Sequence, residues 1–146
     1  MGTGREGSSG AKEGVHIEHG LHEKNILRED FPFRLIVDSD DSYIWPTHWH
    51  DAVEIIYVTK GSFGVLVHNQ DIRLSERDIL FIPGGRLHGF DLPHVTGERI
   101  LINFDFSPLY PYPCIRRVHD SLQEVILLRE SRHLELHRLA ERRLQR

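Results

Sequence analysis

Thr47–Gly61 reads THWHDAVEIIYVTKG, and the rest of the chain is interpreted outward from it. His48, His50 and Glu54 stand at i, i+2 and i+6 in this stretch. Side chains alternate faces along a β-strand, so a strand here projects all three to one side. Read as one strand, His48–Val58 carries Ala52, Ile56 and Val58 on the histidine side and Val53, Ile55 and Tyr57 on the other. A strand apolar on both faces is the wall of a closed or layered sheet. A second strand-like segment, FIPGGRLH at 81–88, brings His88 toward the same point.

Short β segments flank this wall at the regular spacing of an all-β barrel. Phe33–Val37 is the first, followed by the acidic turn Asp38–Ser42 and Trp45-Pro46. Lys60-Gly61 is expected to turn the chain so that Phe63–Val67 runs back as a partner strand. A turn is expected at His68–Asp71, a short strand at Ile72–Leu74, a turn at Ser75–Arg77 and a strand at Asp78–Ile82. Pro83-Gly84-Gly85 breaks the ladder and re-aims the chain toward His88. Arg99–Phe106 alternates, with Ile100, Ile102, Phe104 and Phe106 on one face and Arg99, Asn103 and Asp105 on the other. Prolines at 108, 111 and 113 then end the sheet region. From His119 a partial stripe of Leu122, Val125, Ile126, Leu136 and Ala140 reads as two short helices broken near Glu130–His133.

The 146 residues allow one compact domain with a real core. A net charge of −4 gives no general attraction to nucleic acid. The six arginines against three glutamates in Arg129–Arg146 are read first as a solvated helix face, with nucleic-acid contact as the alternative. No run approaches the 18 or so apolar residues of a membrane span, and the start of the chain lacks the apolar core of a secretory signal. A cytoplasmic protein is therefore expected. Cys114 is the sole cysteine, which excludes an internal disulfide and a cysteine-based zinc site. Residues 1–14 hold five glycines and cannot bury enough to offset chain entropy, so disorder is expected. His16, His19 and His22 follow in a polar arm; incidental histidines are the plainer reading, a metal-binding arm the sharper one.

Two functional readings follow from His48, His50, Glu54 and His88. Three imidazoles and a carboxylate suit one divalent ion (iron, manganese, nickel, copper or zinc) and leave positions open for substrate or water. Alternatively, the same groups form a polar rim that hydrogen-bonds a small ligand without metal. Glu54 sharpens the question, because a carboxylate among Val53, Ile55 and Ile56 is costly to bury unpaired. Arg86 and Arg34 are the candidate partners. Tyr43, Trp45 and Trp49 precede the strand, where they can line a rim or stack on a ligand ring. Neither a nucleophile–base pair nor a phosphate-binding glycine loop is visible; GGRLHG at 84–89 lacks the strand-to-helix context.

The pattern H-x-H-x3-E-x6-G at His48, His50, Glu54 and Gly61 resembles the first cupin motif, and Pro83, Gly85 and His88 match the P-x-G-x2-H core of the second. Ser42 and Arg77 stand where the general motifs have glycine, and Leu92 where the second has asparagine. From about Leu21 to about Leu128 the wording looks most like the N-terminal sensing and dimerisation domain of AraC-type transcription regulators. The resemblance implies a mainly β cupin, a double-stranded β-helix or jelly-roll barrel with a short C-terminal α-helical segment. It divides the chain into a flexible arm at 1–24, a barrel at 25–116 and a helical dimerisation segment at 117–146. It implies a non-enzymatic module that binds a small-molecule effector, such as a sugar, and pairs as a homodimer through the C-terminal helices. In the family an N-terminal arm can fold over the ligand pocket. His48, His50, Glu54, His88, Arg86 and Trp49 are the expected ligand-binding residues. DNA contact belongs to a helix-turn-helix domain, of which this sequence shows no pair. The competing expectation is a stand-alone metal-dependent cupin enzyme, a dioxygenase or isomerase, with His48, His50, Glu54 and His88 as ligands.

Overall fold

The computed structural model describes residues 20–28, 31–39, 45–90 and 96–130. The expectations for 1–14, His16, His19, Ser42, Tyr43, Leu92 and the arginine-rich stretch after Glu130 lie outside these residues. In chain order the strands are β1 (Leu21–His22), β2 (Phe33–Asp38), β3 (Trp45–Trp49), β4 (Val53–Val67), β5 (Gln70–Ser75), β6 (Ile79–Ile82), β7 (His88–Phe90) and β8 (Thr96–Phe104). A 3-10 turn (Ser107–Leu109), helix α1 (Pro113–Ser121) and strand β9 (Ile126–Leu128) follow. The fold is mainly β and of the jelly-roll type, as expected, with a single short C-terminal helix among the described residues.

The long strand β4 organises the sheet. Its first half lies between β6 and β8, and its second half pairs β5 and β7. Sequence reading expected a hairpin at Lys60-Gly61; instead the strand continues. A register shift between Val58 and Lys60 and a positive φ of 77° at Gly61 let β4 coil from one set of partners to the other without stopping. Gly97 faces Gly61 across the ladder, and a Cβ there would collide with the Lys60 carbonyl. The true reversal comes at His68-Asn69, both at positive φ, which joins β4 to β5 in a tight hairpin.

Two further expectations are corrected. His48–Val58 is not one strand: β3 ends at Trp49, a bend runs through His50–Ala52, and β4 starts at Val53. Ile126–Leu128, read as helical, is a strand antiparallel to β6, so residues beyond 116 also complete the barrel sheet. The short apolar run Val125–Leu128 fits either structure, and β6 offered an edge to pair. The core between the layers is formed by Ile56, Val58, Phe63, Val65, Val67, Leu74, Leu80, Ile82, Phe90 and Leu101.

Candidate functional site

One transverse row of residues crosses three neighbouring strands: Arg34 on β2 faces Asn103 on β8, which faces Glu54 on β4. The next inward row is Ile36, Leu101 and Ile56, and a third carries Asp38 and Arg99. On β8 the inward face is therefore Arg99, Leu101 and Asn103, while Ile100, Ile102 and Phe104 lie outward and half-buried. These inward side chains other than Ile56, with Trp45, His48, His50, Phe90 and Glu23, line a cavity of about 300 Å³.

Three histidines converge by different routes, His48 and His50 lining the cavity and His88 buried beside them. His48 on β3 and His88 on β7 are direct cross-strand partners. His50 sits on the bend after β3, and its carbonyl accepts the Gly85 N–H at 2.7 Å. Gly84 packs so closely on the Asp51 carbonyl that no side chain fits there. The Pro83–Gly85 break and the His50 bend thus hold one another. All three rings are buried, and one nitrogen from each lies within 4.8 Å of the others.

Each ring is also fixed in rotation. His48 Nδ1 meets the Pro46 carbonyl at 3.0 Å, His50 Nδ1 the Ala52 carbonyl at 2.8 Å, and His88 Nδ1 the Arg86 carbonyl at 2.7 Å. A carbonyl only accepts, so each Nδ1–H donates, which leaves each Nε2 with a lone pair when the ring is neutral and a proton when it is charged. Glu54 lies among them, with Oε2 at 3.4 Å from His50 Nε2 and Oε1 at 3.7 Å from His88 Nε2. Asn103 Nδ2 donates to Glu54 Oε2 at 2.8 Å. Even so, His50 Nε2, His88 Nε2 and Glu54 Oε1 are buried without a hydrogen-bond partner. Buried polar atoms are nearly always satisfied, so three together mark a place for something else to bind.

The electrostatics agree with that geometry. Burial works against ionising Glu54, but its polar contacts with His50 and His88 prevail and hold its carboxyl well below the ordinary range. Burial also opposes a charged His88, yet contact with Glu54 and its charge raise the imidazole above its usual 6.5. His48 moves down, first through burial and then through the neighbouring His88.

The residue set fits one transition-metal ion. The donors are neutral imidazole nitrogens and a carboxylate, the ligand types such ions take. The Nδ1–H to carbonyl bonds are the outer contacts that orient metal-binding histidines.

Arg86 and Trp49 do not join this group. Arg86 Nη2 donates to the Gln123 carbonyl at 2.6 Å, away from Glu54, and Trp49 stacks on His22 with ring centroids 3.7 Å apart. Sequence reasoning missed Asn103 as the partner of Glu54. The signal available was a lone amide on the polar face of β8. It also missed Glu23, which the β1–β3 pairing brings to the cavity; its backbone N–H donates to the Trp49 carbonyl at 2.9 Å. Arg99 is spent on structure: it bonds Asp38 Oδ2 through Nη2 at 2.6 Å and Nε at 3.1 Å, and lies over the Phe90 ring at 4.0 Å.

Residues 39–98 match the family model described as a Cupin domain, so a cupin domain is present in the chain. No curated protein matches it. Among solved structures, an RmlC-like cupin from Shewanella frigidimarina is 24% identical, with a TM-score of 0.43, over 50% of this chain and 66% of its own. Apo ToxT from Vibrio cholerae is 12% identical, with a TM-score of 0.43, over 66% of this chain and 41% of its own. The polyketide cyclase RemF from Streptomyces resistomycificus is 22% identical, with a TM-score of 0.37, over 63% of this chain and 83% of its own. The chain thus spans two thirds or less of the Shewanella and Vibrio proteins. No helix among the described residues is long and apolar enough to cross a membrane.

Proposed function

We propose that this cupin domain binds one divalent transition-metal ion on His48, His50 and His88, with Glu54 as the fourth ligand or its immediate neighbour, and presents it to a small molecule in the barrel. The observation that carries the reading is the set of three buried imidazoles, each tied at Nδ1 to a backbone carbonyl and turned inward at Nε2. When bound, such an ion supplies Lewis-acid polarisation of a coordinated oxygen. The chain's own residues orient the ligand nitrogens, shield the site from water through Ile36, Trp45, Phe90 and Leu101, and keep Glu54 ionised. The test is metal content per chain in protein purified without chelator. About one equivalent, lost in His50→Ala while the fold survives, supports the reading. A well-folded protein that takes up no iron, manganese, nickel, copper or zinc on dialysis sinks it.

A second reading, the AraC-type sensing domain, is favoured by the arm. Strand β1 lies parallel on β3 and delivers Glu23 to the cavity, so occupancy can be coupled to arm position. Ligand-dependent dimerisation that persists after metal removal would support it. Dimerisation indifferent to every small molecule screened would count against it.

A further inference from the structure

We propose that the cavity takes a small monocarboxylate with a flat apolar body, and that the Glu23 carboxylate holds its place when no ligand is bound. The inference rests on the reading of the barrel cavity as a small-molecule site.

Glu23 is half-buried at the cavity, with Oε1 at 3.9 Å from Arg34 Nη1 and Oε2 at 3.6 Å from His48 Nε2. Both separations exceed hydrogen-bonding distance. The Glu23 carboxylate therefore lies beside a guanidinium and faces the unprotonated Nε2 of His48, bonded to neither. Its anchor is a two-residue strand paired with β3, a backbone hydrogen bond to Trp49 and the stack of His22 on Trp49.

The barrel supplies what a carboxylate arriving from outside requires. Arg34 stands at the outer end of the row that runs through Asn103 to Glu54, and its side chain is 36% exposed. Its planar fork matches a carboxylate in a two-point contact, which the loose Glu23 pair does not use. Arg99 offers no such contact, being bonded to Asp38 and covered by Phe90. Asn103 stands between Arg34 and Glu54, so an anion on Arg34 is set apart from the buried Glu54 charge. The body of the ligand meets Ile36, Leu101 and the cross-strand aromatic pair Trp45 and Phe90. About 300 Å³ lies at the small end of ligand cavities, and aromatic walls favour a flat body.

The test is calorimetric titration of the full chain with benzoate and with benzamide, its neutral isostere, before and after chelator treatment. Benzoate is expected to bind at least about tenfold more tightly than benzamide, as a charge-assisted contact provides. Glu23→Gln should tighten benzoate several-fold and leave benzamide unchanged. Arg34→Gln should weaken benzoate about tenfold, with Arg34→Lys recovering part of the loss; melting curves establish that each variant is folded. No benzoate binding, equal binding of the two probes, or a Glu23→Gln without effect on benzoate overturns the proposal. If these dependences persist identically after chelator treatment and metal is never found, only the metal reading falls. If metal binds but the Arg34 dependence is absent, only this proposal falls.

Discussion

Among the described residues two carboxylates are buried, Glu54 and Asp78, with side chains 5% exposed in both cases. Asp78 sits in the turn before β6 and is fully used. Its Oδ2 accepts from the Ser75 N–H at 2.9 Å and from Arg129 Nη1 at 2.7 Å, and its Oδ1 accepts from the Glu130 N–H at 3.3 Å. Beside it, Arg77 and Glu130 pair at 2.6 Å, so the turn, β9 and the following residues form one knot. Glu54 has one amide donor and leaves Oε1 without a partner. The same chemical group is satisfied where it fastens the fold and left open at the proposed ligand site. A structural carboxylate is recognised by its donors, and a functional one by the donors it lacks.

The comparison breaks most visibly at Asp78. Asp78→Ala should destabilise the protein by about 3 kcal/mol, since it strands the turn and Glu130 amides and the Arg129 charge. Urea unfolding of the metal-free protein measures this, and metal stoichiometry should be unaltered. Glu54→Gln should do the opposite. The metal-free protein should lose less stability than Asp78→Ala does, while metal affinity falls by roughly 10- to 100-fold in a competition titration. Equal stability losses in the two variants would erase the distinction.

pH sharpens it further. His88 must lose its proton before Nε2 can bind an ion, and its folded-state pKa lies above 6.5. Metal affinity should therefore fall on acidification below that value, by up to about tenfold per pH unit for one proton. Without metal the signs differ. The raised His88 contributes stability that is fully present below 6.5 and lost as pH rises through its folded value. The depressed Glu54 contributes stability present above 4.5 and lost on acidification. Metal-free stability should peak between these limits, as denaturation at a series of pH values will register.

The smallest effect is expected at Arg77. It holds φ at 68°, a conformation costly for any residue but glycine. Arg77→Gly removes that strain and the ion pair to Glu130 together. A net change within about 1 kcal/mol is expected from thermal unfolding.

Arg77 also shows what could be read from the letters. The cupin motif has glycine there, and the left-handed backbone is the reason, so the motif was legible even where a residue departs from it. His48, His50, Glu54 and His88 were legible because their spacing survives the break at His50–Ala52. What escaped was non-local. The continuation of β4 through Gly61 depends on β8 pairing across the bend, and β9 depends on an open edge of β6. Asn103 and Glu23 reach the cavity only through register with β4 and β3, which no window of sequence contains.

The stack of His22 on Trp49, with rings 3.7 Å apart and 2° from parallel, has a practical corollary. The chain has two tryptophans, one on the cavity wall and one under the arm. An imidazole laid flat on an indole alters its emission, so lifting β1 from β3 changes the fluorescence of Trp49. A filled cavity changes that of Trp45 instead. Replacing each tryptophan in turn by phenylalanine would separate the two signals, giving an unlabelled optical readout in which occupancy and arm release are timed independently.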